Sequence, residues 1–109
     1  MLLDQGTSGR LYCLCPSAFA PDTRLAAGRS EFPQAGSPHD AFTVTGLPGR
    51  EQLLALVTAE PLGLAWGTDD PRVPARVLSD SDIVELLNRL RGLEGDRWVA
   101  LATYFAVVP

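Results

Sequence analysis

The sequence contains no lysine: its nine basic side chains are all arginine, scattered from Arg10 to Arg97 without a cluster. A nucleic-acid surface displaces counterions with a basic stripe, so this distribution and a formal net charge of -4 argue against that class of partner. Histidine occurs once, at His39, and cysteine twice, at Cys13 and Cys15. A zinc site built from these would need carboxylates or a second chain to complete it, so no metal and no cofactor is expected. Long apolar runs are missing too. None approaches the roughly 18 residues of a membrane-spanning helix, and the first residues lack the basic start, apolar stretch and cleavage site of a secretory leader. Met1-Leu2-Leu3-Asp4 reads as the tail of a strand already under way, which leaves room for a signal or anchor upstream. The compartment, cytoplasm or cell envelope, is therefore left open.

What is present suits one globular unit. A chain of 109 residues can bury roughly two-thirds of its unfolded surface, enough for one core. Hydrophobic residues at 46% against charged residues at 20% place it with folded rather than disordered chains. Ten glycines and nine prolines punctuate short apolar runs, which favours many short strands over long helices. The expected architecture is a single β-rich domain over residues 1–109, with antiparallel sheets packed as a sandwich and one amphipathic helix near the C-terminus.

Leu2 to Asp4 and Arg10 to Cys15 flank the polar, glycine-bearing segment Gln5-Gly6-Thr7-Ser8-Gly9 and predict a hairpin. The second strand is apolar at nearly every position, the mark of burial on both faces, and Pro16 ends it. Ser17 to Gly28 reads as a surface connection anchored by Phe19 and Leu25. Arg29 to Phe32 is a short strand candidate, and Phe42-Thr43-Val44-Thr45 alternates as a half-exposed strand does. Leu53-Leu54-Ala55-Leu56-Val57, within Glu51 to Thr58, predicts a central strand, and Leu62 to Trp66 a further short one. Ile83, Leu86, Leu87 and Leu90 follow helical spacing, with Ser79 and Asp82 as a capping pair, Arg89 and Arg91 at the far end, and Gly92 after it. Trp98 to Val108 is the clearest strand in the chain.

Each segment that suggests chemistry also has a plainer reading. Gly46-Leu47-Pro48-Gly49-Arg50 lacks the lysine and following Ser or Thr of a phosphate loop and precedes a strand rather than a helix; it reads as a turn, with Arg50 and Glu51 the solvated start of that strand. Cys13 and Cys15, two apart on a strand, point to one face about 7 Å from each other and are poorly placed to bond. They read as buried thiols. His39 beside Asp40 could serve as a base, but catalysis needs a nucleophile within reach and a third group. Gly67 to Arg76 reads as a loop whose calcium-type ligand alternation is missing; with Trp66 at its base and Arg72 and Arg76 along it, it is the expected recognition segment.

Taken together, Tyr12-Cys13-Leu14-Cys15-Pro16, Asp22-Thr23-Arg24-Leu25-Ala26-Ala27-Gly28, Phe32-Pro33, Phe42-Thr43-Val44, Pro48-Gly49-Arg50-Glu51 and Glu60-Pro61-Leu62 resemble, in order and spacing, the bacterial domain of unknown function 4384. The resemblance spans Leu2 to Leu62 well and the rest more loosely. It departs from the family at Ser17 and Asp22, where an asparagine is usual, and in beginning after a strand the family usually has upstream. It implies a β-rich accessory module found in one polypeptide with serine/threonine kinase, caspase-like peptidase or other signalling domains, and it transfers no catalytic residue.

The resulting expectation is a non-enzymatic binding or regulatory module that meets a protein, peptide or cell-surface ligand through a sheet edge or the Gly67 to Arg76 loop, with Trp66, Arg72 and Arg76 as the recognition residues. Two alternatives stand beside it. One is a small hydrolase using His39 with Asp40; the other is an assembly domain that forms a homodimer through an unpaired sheet edge.

Overall fold

Leu2–Gln5 (β1) and Leu11–Cys15 (β2) form the expected hairpin in the computed structural model, which describes residues 1–42, 46–66 and 75–108. Gly6 N donates to Arg10 O at 3.0 Å, and Gly9, at φ +88°, takes a turn conformation that a side chain would disfavour. Gly49–Thr58 (β3) pairs with β1 on one side, followed in the chain by Arg76–Val77 (β4), a helix at Asp80–Arg91 (α1) and Trp98–Val107 (β5). All pairings are antiparallel, and the five strands lie in the order β4-β2-β1-β3-β5. The protein is thus mainly β, with one α-helix among the described residues, near the C-terminus.

The described strands form one sheet, where the sequence pattern suggested two. Its second layer comes from α1 and from Leu62–Trp66, an irregular segment with Gly63 at φ +72° that joins none of the described strands. Arg29–Phe32 is likewise no strand; Arg29 and Glu31 face solvent and hold each other at 3.3 Å. Leu25, expected as an anchor, is 46% exposed, whereas Phe19 is half-buried against the Phe42 ring, 4.6 Å between centroids. Without a neighbour to accept their backbone groups, short apolar segments bounded by proline settle as connections. The remainder of the Phe42–Thr45 strand expectation falls at Thr43–Thr45, outside the described residues.

The core lies between α1 and the face of the sheet bearing Leu3, Cys13 and Leu56, with Trp66, Leu78, Leu86 and Leu90 closing it. Burying a leucine such as Leu56 or Leu86 is worth about 1.5–3 kcal/mol. Helix α1 begins as its sequence predicts: Ser79 Oγ accepts from Asp82 N, and the Asp82 carboxylate accepts from Ser79 N at 3.0 Å, completing a capping box. Ile83, Leu86 and Leu90 face the sheet, while Leu87, expected with them, is 44% exposed.

Candidate functional site

The longest exposed run among the described strands is in β5. Its ten residues, WVALATYFAV, contain no charge, no proline and no glycine, and they pair with β3 in one unbroken register from Gly49↔Val107 to Thr58↔Trp98. Nothing among the described strands pairs with its other side. Eight of its ten residues are exposed, among them Val99, Leu101 and Tyr104, the last two at 62%.

Hydrogen-bond parity fixes which groups of β5 are free. Met1 and Leu56 exchange both backbone bonds at 2.9 Å, so the even residues of β3 turn their N–H and C=O toward β1. Ala59 N, one residue beyond β3, donates to Arg97 O at 2.8 Å, confirming that the odd residues bond toward β5. Across the register, Val99, Leu101, Thr103, Phe105 and Val107 therefore face β3. The N–H and C=O groups of Trp98, Ala100, Ala102, Tyr104 and Ala106 point out of the sheet. Three of these five are alanines, whose small side chains leave the backbone open to approach. On the side-chain faces, Arg50 lies over the Tyr104 ring, 4.1 Å from its centroid, while Val99 stands beside the exposed Val57 as an apolar pair.

A second feature lies on the sheet face opposite α1. Asp4, Glu51, Tyr12, Leu53 and Phe105 line a cleft of about 590 Å³, walled by Phe19, Phe42 and Leu47. Asp4 and Glu51 stand on neighbouring strands, two register positions apart on one face. Burial and the adjacent Glu51 carboxyl push the Asp4 pKa up to about 7, and Asp4 Oδ1 is buried without a hydrogen-bond partner. Two carboxyl groups sharing so small a space do not both ionise easily. Glu51, expected at a solvated strand start, is only 8% exposed: placing Leu54 and Leu56 toward the core and its neighbours between β1 and β5 turns it inward over the cleft. Nothing in the linear order marks this pair, since it depends on the register that aligns β1 with β3.

Trp66, expected at the base of the recognition loop, is 2% exposed and packs in the core. Arg76, in β4, is drawn toward α1: its guanidinium donates to both Asp82 carboxylate oxygens, at 3.0 and 3.3 Å. This contact, with the Ser79 backbone bond, holds the Asp82 carboxyl below its ordinary pKa. Arg72 and the loop residues 67–74 lie outside the described residues, so of the three expected recognition side chains only Trp66 and Arg76 are described. His39 stacks against Phe19 at 4.8 Å, with Ser37 Oγ accepting from its backbone N–H rather than from its ring. No hydrogen bond joins His39 to Asp40 among the described residues.

Cys13 and Cys15 are buried and unbonded, as their spacing predicts. Cys13 Sγ donates to Pro16 O at 3.3 Å, and burial pushes its thiol up to about 12; burial raises Cys15 as well. Thiols held so far toward the protonated form are poor nucleophiles and poor metal ligands. No group of three or more potential metal ligands gathers among the described residues, and no helix is long and apolar enough to cross a membrane.

No curated protein and no solved structure matches the chain. A family model does match, over residues 1–61, which hold β1, β2, all of β3 and the carboxyl pair of the cleft. The chain belongs to the family described as a domain of unknown function, DUF4384.

Proposed function

We propose that this protein is a non-enzymatic binding module that takes up an extended protein segment along β5. The observation that carries the reading is a ten-residue strand that pairs on one side only among the described strands, with five residues directing their backbone donors and acceptors outward. Adding a strand to such an edge supplies main-chain hydrogen bonds, and the side chains alternating above and below it supply selectivity. Natural sheets guard long edges with lysine, proline or a bulge, and β5 has none of the three. Within a larger bacterial signalling or cell-envelope polypeptide, as the family resemblance implies, such an edge would recruit or order a partner segment.

Residue-resolved amide exchange tests this. The amides of Trp98, Ala100, Ala102, Tyr104 and Ala106 are expected to exchange fast in the free monomer and become protected when a partner binds. Their odd-numbered neighbours are protected in both states. A partner that binds saturably while the five even-numbered amides stay unprotected would remove the reading, and so would turnover of a substrate that tracks with purified protein.

A further inference from the structure

We infer that the segment seated on β5 is β5 of a second copy of this chain, antiparallel about a two-fold axis at Ala102, so that two sheets join into one. This inference rests on the edge reading given above. It is carried by the self-complementarity of the strand in charge, in hydrogen bonding and in side-chain size.

Charge comes first. From Trp98 to Val107 the edge offers no ionic partner to a charged strand, and a charged side chain laid against it would lose hydration without compensation. An equally uncharged strand meets no such cost, and β5 is itself such a strand. Hydrogen bonding then selects the register. Antiparallel pairing about a two-fold axis matches residue i with the partner residue whose number makes a constant sum with it. The outward set Trp98, Ala100, Ala102, Tyr104 and Ala106 maps onto itself in one register alone, with Ala102 opposite its own copy. Moving the centre to Leu101 or Thr103 leaves one end of the set without a mate inside the strand.

Size agrees with this register. Trp98 falls opposite the partner's Ala106 and Tyr104 opposite the partner's Ala100, while Ala102 meets the partner's Ala102, so each large ring on the α1 side faces a methyl group. On the other face Val99 lies opposite the partner's Phe105 and Leu101 opposite the partner's Thr103. Apolar and aromatic cross-strand pairs of this kind are favourable, and no like charges are set against each other. The axis stands perpendicular to the sheet, which puts both copies of α1 on the same side. The exposed Leu101, Val99 and Tyr104 are covered by the same contact.

Sedimentation equilibrium of the full chain over a concentration series, with three variants beside it, tests the inference. The wild-type protein is expected to reach a dimer and Ala102→Pro to remain monomeric with an unchanged circular dichroism spectrum. The lost N–H points out of the sheet, where proline is tolerated. Ala102→Cys is expected to form an interchain disulfide on oxidation, because the two Cα atoms of a hydrogen-bonded antiparallel pair lie about 5.5 Å apart. Ala100→Cys is not, since its copy lies four residues along, about 13 Å away. Cys13 and Cys15, at 0% and 1% exposure, contribute no background crosslink.

A wild-type monomer at every concentration overturns the inference, as does a dimer that survives Ala102→Pro or one that crosslinks through Ala100→Cys. Titrating a solubilised peptide of residues 98–107 into the protein separates this failure from failure of the wider reading. A monomer that protects its five outward amides on binding that peptide loses the dimer and keeps the edge site. One that neither self-associates nor binds the peptide loses both.

Discussion

At one edge of the sheet β4 is two residues long and its Arg76 is tied to Asp82 in the helix cap, whereas at the other β5 runs ten residues with no charged side chain and no further strand beside it among the described residues. Both edges carry unpaired backbone groups, yet they are finished in opposite ways. A short edge with an ion pair folded over it offers no template to another chain; a long, flat, apolar one does. The difference teaches that exposure alone does not mark a functional surface. What marks β5 is the lack of every device that would keep a second strand away, on a strand otherwise held in strict register.

The largest expected effect comes from attacking β5 on its paired side. Leu101→Pro removes the N–H that faces Ala55 and leaves a carbonyl of β3 without its donor, a loss of about 1–3 kcal/mol before any packing change is counted. Urea denaturation should show this cost for Leu101→Pro and little of it for Ala102→Pro. Equal midpoints for the two variants would contradict the assignment of odd residues to β3 and even residues to the open edge.

Charge separates the two regions next, through opposite pH dependences. Asp4, in the cleft beside β5, has its folded pKa raised to about 7 from an unfolded value near 4, so the folded state holds a proton that the unfolded chain has released. Its contribution is fully present below about pH 4 and is lost as the pH rises through about 7. Asp82, under β4, is shifted the other way by Arg76, and its contribution is present above about pH 4 and lost as the pH falls through its lowered value. Asp4→Asn is expected to raise the melting temperature at pH 8, leave it nearly unchanged at pH 3, and flatten the decline between. A decline that persists in Asp4→Asn would assign it to another group.

How far these regions were legible in the sequence follows from the range over which each signal acts. The hairpin around Gly6, the Ser79–Asp82 capping box and the extended character of Trp98–Val107 are local, set by neighbours within a few residues, and each forms as its pattern predicts. Which strand sits at an edge is decided by pairing among distant segments, so β5 reads as a clear strand without revealing that one side of it is open among the described strands. The same limit hid the cleft. Asp4 and Glu51 look like ordinary polar positions until β1 is aligned with β3, and Trp66 looks like a loop aromatic until α1 closes over it. Absence of charge in ten consecutive residues was the one readable sign of the edge, and it reads equally well as burial.

The cap beneath β4 gives a smaller effect. Ser79→Ala removes the hydroxyl that accepts from Asp82 N and should cost about 1 kcal/mol in chemical denaturation. Arg76 still reaches Asp82 in this variant, so the β4 edge stays covered and self-association through β5 is unchanged. A shift in the association constant would mean that the two edges communicate.

The smallest expected change in monomer stability comes from giving the open edge the guard it lacks. Ala102→Lys adds to an exposed position a side chain found nowhere in this chain, and substitutions at such positions usually fall within about 0.5 kcal/mol. Its backbone donors and acceptors remain outward, so a strand could still bond there, but in the two-fold register each added ammonium lies directly opposite its own copy. Self-association should therefore weaken at low salt and recover in part as salt screens the repulsion, while Ala102→Ser, of similar polarity and no charge, associates as wild type does. Sedimentation at two ionic strengths reads this directly. Loss of association in the lysine variant that salt does not relieve and that the serine variant shares would point to side-chain packing at Ala102 rather than to like charges meeting on the axis.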